Sequence, residues 1–187
     1  MIRMLSMAGL LVVTTMASAV EVEGVVLPAR IELPPDAAPL GLNGAGKRSK
    51  FFISIYVGAL YLPTKRSDAK AILDAVEPRR VAMHFVYDRV EAHKLRDAWE
   101  EGFVENQSAK AMQSLRERLE RFKALFGDAV AGDVVWLDFA PGQGTRVSFN
   151  GTLSDTIPGD DFNRALLAVW LGDEPADNGL KRGMLGE

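Results

Sequence analysis

The sequence predicts an α+β protein in which helices cover one face of an antiparallel sheet. Apolar residues make up 48% of the 187 residues and charged residues 25%, which is typical of a soluble globular domain. The predicted elements occur as strands, then helices, then strands, then a helix, and such runs favour α+β over the strict alternation of a parallel sheet. No internal repeat interrupts the chain, so we expect a single domain.

The first 19 residues predict an export signal. Arg3 supplies a positive charge, an apolar run covers residues 5–13, and residues 17–19 form an A-x-A cleavage site. The run is shorter than the ~20 apolar residues that span a bilayer, although retention as an anchor is the alternative. We therefore expect residues 1–19 to be a signal peptide and residues 20–187 to be a periplasmic or secreted domain with no transmembrane segment.

Extended segments are predicted in the first half of the mature chain. Residues 24–33 predict a pair of short strands before a proline-rich loop. Residues 51–62 are rich in aromatic and β-branched side chains and predict a long buried strand. Residues 80–87 alternate, and one face of this predicted strand carries Val81, Met83, Phe85 and Tyr87.

Helical periodicity predicts the next elements. Residues 67–76 predict a short helix that is capped by Ser67 or Asp68, and its apolar side carries Ala69, Ile72, Leu73 and Val76. Residues 91–126 predict the main helical segment, which Gly102 together with residues 106–107 is expected to divide into two helices. Its apolar stripes consist of Leu95, Trp99, Phe103, Met112, Leu115, Leu119, Phe122 and Phe126.

The last third returns to strands. Residues 133–139 and 145–149 predict a hairpin, and the Asn-Gly pair at 150–151 predicts a type I′ turn into a further strand. A helix over residues 162–171 follows, with Asp160 or Asp161 as its N-cap.

Composition excludes several classes of function. The absence of cysteine removes disulfides, thiolate metal sites and cysteine nucleophiles. The net charge of −3 disfavours a nucleic-acid partner, whose binding domains are usually basic. His84 and His93 are the two histidines, and neither has a second ligand at a metal-binding spacing. We expect no metal and no cofactor.

One glycine-rich segment partly matches a phosphate-binding loop. Residues 41–47 (GLNGAGK) fit G-x-x-x-x-G-K, but Arg48 stands where the motif requires Ser or Thr. A strand is predicted after the segment, whereas the motif requires a helix. The sequence therefore predicts no nucleotide binding.

Arg48 is the main candidate for ligand binding, with Tyr56 and Tyr61 as nearby phenols. Its planar guanidinium matches a carboxylate, and a phenol adds a second donor. The alternative is that residues 47–50 form a solvated basic loop. Strand alternation places Ser54, Tyr56 and Gly58 on one face, opposite residues 53, 55 and 57, and predicts that Gly58 leaves room for a ligand tail.

Five separated motifs carry a resemblance to a known family. They are residues 42–48 (LNGAGKR), 57–63 (VGALYLP), 98–103 (AWEEGF), 162–172 (FNRALLAVWLG) and 180–186 (LKRGMLG). Together they resemble the bacterial chalcone isomerase-like proteins over nearly all of the mature chain. The resemblance implies a chalcone isomerase-like open-faced β-sandwich, in which a helical layer covers one face of a large antiparallel sheet.

The resemblance also bears on the site. Plant chalcone isomerases use an Arg, a Thr, a Tyr, a Lys and an Asn, and Arg48 matches the Arg. The Thr position falls at Ile55 or Tyr56, and the other three fall near Leu95, Ala98 and Gly102, in a segment with no phenol or amine. The non-catalytic relatives that bind fatty acids grip the carboxylate with the Arg and a Tyr, which Arg48 and Tyr56 resemble.

We therefore expect an exported, non-catalytic binder of a small apolar acid such as a fatty acid, held by Arg48 and Tyr56. No catalytic residue is assigned. Two alternatives remain open, namely an isomerase of the intramolecular-lyase type and an envelope accessory protein whose pocket is vestigial.

Overall fold

A computed structural model describes residues 19–33 and 39–187, so the predicted signal peptide lies outside the described residues except for Ala19. The strands are β1 (Ala19–Val22), β2 (Val25–Pro28), β3 (Arg30–Ile31), β4 (Leu40–Lys50), β5 (Ile53–Leu62), β6 (Arg79–Phe85), β7 (Arg89–Val90), β8 (Ala129–Val130), β9 (Val134–Ala140), β10 (Gly144–Phe149) and β11 (Thr152–Ile157). The helices are α1 (Ala69–Asp74), α2 (Ala92–Asn106), α3 (Ala109–Ala124), α4 (Asp160–Leu171) and α5 (Asn178–Leu185).

The main sheet is antiparallel throughout. Within the described residues it has seven strands in the order β11-β10-β9-β6-β5-β4-β3. β1 pairs with β2, and β7 pairs with β8, in two small separate ladders. The predicted α+β class with an antiparallel sheet is confirmed.

The principal core lies between the sheet and the helical layer. The predicted helical stripes are confirmed, because all eight of their side chains are buried there: Leu95, Trp99, Phe103, Met112, Leu115, Leu119, Phe122 and Phe126. From the sheet, Val81, Met83 and Phe85 of β6 face them, as the alternation predicts. Tyr87 follows the end of β6 and is exposed, so its predicted place on that face is wrong.

A second, smaller core lies on the opposite face of the sheet. It consists of Leu27, Leu33, Leu40, Leu42, Val57, Ala59, Tyr61 and Ala82. Leu27 comes from the β1–β2 hairpin, so this hairpin covers part of the outer face. Tyr61 belongs to this outer core, whereas Tyr56 belongs to the principal core. Tyr61 therefore lies on the opposite face of the sheet from the Tyr56 side chain.

Element boundaries differ from the sequence prediction for local reasons. α1 ends at Asp74, which leaves Val76 exposed outside the helix. The long helical segment breaks after Asn106, and Gly102 lies inside α2. Glycine suits this position because a Cβ there would lie 2.8 Å from a methyl group of Val169. Gly159, rather than Asp160 or Asp161, is the N-cap of α4.

The β4–β5 hairpin departs most from the prediction. The basic segment at residues 47–50, expected either to hold a ligand or to be a solvated loop, lies on strand β4. Phe51 and Phe52, expected in a buried strand, instead form the exposed turn between β4 and β5. The Asn-Gly turn at 150–151 is confirmed, since both residues have positive φ (50° and 82°).

Helix α5 explains the glycine-rich motif of β4. A Cβ on Gly44 would lie 2.2 Å from the carbonyl oxygen of Gly183, and a Cβ on Gly183 would lie 2.8 Å from the Cα of Gly46. Backbone therefore packs directly on backbone, which only glycine permits. The side chain of Asn43 adds a hydrogen bond of 2.8 Å to the carbonyl oxygen of Met184. The motif is a docking surface for α5 inside a strand.

Candidate functional site

Arg48 and Tyr56 lie directly opposite each other on neighbouring strands. They are register partners in the β4–β5 ladder, and the Arg48 guanidinium carbon lies 5.9 Å from the centre of the Tyr56 ring. Tyr56 belongs to the core under the helical layer, as a shared cavity with Arg48 requires. Arg48 is half-buried and Tyr56 is 1% exposed. The fold thus brings the two predicted site residues together.

A β-bulge shifts the strand register next to Arg48 and Tyr56. The register shifts after Arg48, so that Ser49 pairs with Ser54 and Ile55 has no partner on β4. Bulges of this kind re-aim side chains and recur beside functional sites. Ile55 packs against the core under the helical layer, although strict alternation placed it on the other face. That part of the sequence prediction is wrong because of the extra residue.

Trp170 of α4 fixes the phenol of Tyr56. The Trp170 indole Nε1 donates to the Tyr56 hydroxyl oxygen at 2.8 Å, and both side chains are fully buried. A phenol has one proton to donate besides its acceptor capacity. Among the described residues, no acceptor takes the proton of Tyr56. The phenol is held in place and retains a free donor.

Burial favours the neutral form of this phenol. Burial raises the pKa of Tyr56, which outweighs the opposing effect of the Arg48 charge and of the hydrogen bonds from Trp170 and Arg48. A neutral phenol donates, whereas a phenolate would compete with an anion for Arg48. Within the described part of the chain, no carboxylate forms an ion pair with Arg48. Two donor groups, one of them positively charged, therefore lie side by side.

The pair lines a cavity of about 460 Å³ between the sheet and α2. The apolar wall includes Ile53, Ile55, Val90, Leu95 and Ala98, and the rim carries Lys50, Phe51, Tyr87, Arg89, Glu91, Lys94, Asp97 and Glu101. The volume falls within the range of small-ligand sites, which are mostly apolar with a few placed polar groups. An acid with an apolar body fits this combination.

Two sequence expectations about the cavity have different outcomes. Leu95 and Ala98 line it, but Gly102 does not, because Gly102 packs against Val169. Gly58 leaves no room for a ligand tail: a Cβ there would lie 3.0 Å from both Leu180 and Met184. The space at Gly58 belongs to α5, so that prediction is wrong.

Sequence reasoning missed Trp170 and Asp177. A Trp within the apolar run of residues 165–171 was a usable signal, since a buried indole N–H usually has a partner. Asp177 caps α5 by accepting from the Leu180 amide at 2.9 Å, and it also accepts from the Ser49 amide at 3.0 Å. It therefore ties α5 to β4 next to Arg48. No local pattern indicates that second bond.

The described ranges, 19–33 and 39–187, contain neither a metal-ligand cluster nor a helix able to span a membrane. No group of three or more His, Asp or Glu side chains comes together there as potential metal ligands. No helix in these ranges combines the length and the apolar character needed to cross a bilayer.

Comparison with known proteins agrees with the fold. A crystal structure of a fatty-acid binding protein of Arabidopsis thaliana (AtFAP1) superposes with a TM-score of 0.70 at 17% sequence identity, covering 90% of this chain and 96% of that one. At this identity the likeness concerns the fold. No curated protein matches the sequence. The profile of the chalcone isomerase-like family matches residues 19–186. The chain is a member of the chalcone isomerase-like family.

Proposed function

We propose that this protein is a non-catalytic binder of a small apolar acid, with a fatty acid as the candidate ligand. The observation that carries the proposal is the pair of convergent donors on Arg48 and Tyr56 at the wall of an apolar cavity. Charge-assisted hydrogen bonds to a carboxylate are about twice as strong as neutral ones. The structural neighbour from Arabidopsis is itself a fatty-acid binding protein, which supports the same class of ligand.

The cavity wall argues against the isomerase alternative. Leu95 and Ala98 line the cavity at positions where the plant enzymes have polar side chains, and neither can transfer a proton. Lys94 at the rim is engaged by Glu91 at 2.7 Å. We therefore expect no acceleration of chalcone cyclisation that approaches the ~10²–10⁴-fold contribution of general acid–base groups.

Mass spectrometry of the purified protein tests the proposal. Under native conditions we expect an added mass that denaturation releases as an acyl chain, and after delipidation we expect saturable binding of a fatty acid. A fatty alcohol of the same length is the matched control, because it lacks the carboxylate and should bind more weakly. Equal binding of acid and alcohol, or saturable turnover of a chalcone, would contradict the proposal.

Tyr56→Phe is expected to weaken fatty-acid binding and also to lower stability. Loss of a neutral hydrogen bond costs about 0.5–1.5 kcal/mol, or roughly two- to thirteenfold in affinity. The buried Trp170 N–H would lose its acceptor, which costs about 1–3 kcal/mol in the free energy of unfolding. Titration and urea unfolding measure the two effects. Tyr87→Phe, at the exposed rim of the same cavity, should change neither.

We further propose that the protein acts outside the cytoplasm. The positive charge at Arg3, the apolar run at 5–13 and the A-x-A site at 17–19 support export. Cleavage after Ala19 would keep most of β1, which begins at Ala19. The intact mass of the exported protein should correspond to a chain that begins at or next to Val20. A mass that includes residues 1–19 would refute this.

A further inference from the structure

The turn between β4 and β5 exposes two phenylalanines. Phe51 is 85% exposed and Phe52 is fully exposed. They are followed by Ile53, which is also exposed. Soluble proteins expose single apolar side chains routinely, but adjacent ones at the tip of a projecting hairpin are a feature that marks interaction sites.

The backbone of this turn also disfavours phenylalanine. Phe51 and Phe52 have φ of 50° and 65°, in the left-handed region that bulky side chains rarely adopt. Two-residue hairpin turns with two positive φ values strongly prefer Asn-Gly. This chain uses that pair at Asn150 and Gly151, where φ is 50° and 82°. Exposure to water and the backbone conformation therefore both disfavour phenylalanine in this turn. Phe51 and Phe52 bury too little surface for packing to offset these costs.

The location of the turn connects it with the cavity. Phe51 and Ile53 line the mouth, and Arg48 lies three residues before Phe51 on the same hairpin. Residues 47–53 carry three basic side chains and no acidic one, and Lys47 is paired with Glu23. Arg48 and Lys50 have no ion-pair partner among the described residues. The tip thus combines exposed aromatic rings with unpaired positive charge.

We propose that this tip, residues 50–53, inserts into the interface of an anionic lipid bilayer and sets the cavity mouth against it. Aromatic side chains are favoured at the level of lipid headgroups, and basic residues are attracted to an anionic surface. A second copy or a protein partner fits less well, because three exposed side chains offer far less than the ~1,200–2,000 Å² of a stable interface. Asp97 and Glu101 lie on the α2 side of the rim, so we expect the hairpin side of the mouth to meet the lipid.

Attachment of the tip to a membrane needs no ligand. The idea that the protein takes up its ligand from the membrane rests on the proposed function. An apolar acid dissolved in the bilayer would enter the cavity without crossing water, with its carboxylate directed to Arg48. The two ideas can therefore fail independently.

Vesicle co-sedimentation of the delipidated protein tests the proposal. The vesicles are either equimolar phosphatidylglycerol and phosphatidylcholine or phosphatidylcholine alone. The test variant is Phe51→Asn/Phe52→Gly, which provides the residues that the turn prefers. We expect it to be at least as thermostable as the parent protein, yet to partition at least about tenfold less onto the anionic vesicles, since burial of one phenyl group exceeds a tenfold effect.

A matched control is the pair Val26→Ser/Val104→Ser, which removes two exposed apolar side chains (64% and 52% exposed) away from the tip. It should bind vesicles like the parent protein.

Equal partition of the tip variant, or no binding by the parent protein, would overturn the proposal. Self-association that the tip variant loses would assign the tip to a second copy instead. A parent protein that binds vesicles but no fatty acid would refute the proposed ligand and leave the membrane proposal standing.

Discussion

Arg48→Ala is expected to weaken fatty-acid binding about ten- to a hundredfold, because a charge-assisted hydrogen bond contributes ~1.5–3 kcal/mol. Arg48 is the charged member of the donor pair on the cavity wall, and among the described residues it forms no ion pair. Arg48→Lys should recover only part of the affinity, since an ammonium lacks the bidentate geometry of a guanidinium. Titration of delipidated protein with a fatty acid measures the effect.

Arg89→Ala provides the matched control. Arg89 also lines the cavity, but it is exposed and bound to Asp128, so its removal should change affinity little. Circular dichroism would show that both variants keep their fold. Equal affinity of the parent protein and Arg48→Ala would mean that Arg48 does not contact the ligand, and the assignment of the site would be wrong.

Gly44→Ala is expected to destabilise the fold by at least about 1–3 kcal/mol, the usual cost of overpacking a well-packed site. The new Cβ would lie 2.2 Å from the Gly183 carbonyl oxygen and 2.8 Å from the Gly186 nitrogen, both of which are backbone atoms. Helix α5 must therefore move away from β4. Urea unfolding measures the loss, and ligand affinity should fall as well, because Asp177 joins α5 to Ser49 beside Arg48.

Gly41→Ala is the control on the same strand. Its Cβ would meet only the Leu62 carbonyl oxygen at 3.9 Å, an ordinary contact. Alanine in a strand also avoids the entropic cost of glycine, so we expect stability to be unchanged or slightly higher. A similar loss in both variants would show that the effect comes from β4 itself and not from helix docking.

Local patterns predicted most elements of this fold correctly because their causes are local. The stripe from Met112 to Phe126 follows from helical periodicity, and the turn at Asn150 follows from the preference of Asn-Gly for positive φ. The Phe51–Phe52 turn was missed because these residues contradict both hydrophobicity and backbone preference. Helix α5 was missed because it depends on glycines of a strand more than 130 residues earlier in the chain.

The candidate site also combines features that the sequence predicts with features that only tertiary contacts set. The sequence by itself predicted Arg48 and Tyr56 as candidates for holding an acid, from their donor chemistry, their proximity to an apolar strand and the family resemblance. Only the tertiary structure decided that they face one cavity, since that depends on strand register and on the bulge at Ile55. It also decided that Trp170 occupies the phenol oxygen and that Leu180 and Met184 fill the space at Gly58. These contacts join residues more than 110 positions apart, and no local preference of either partner specifies the other.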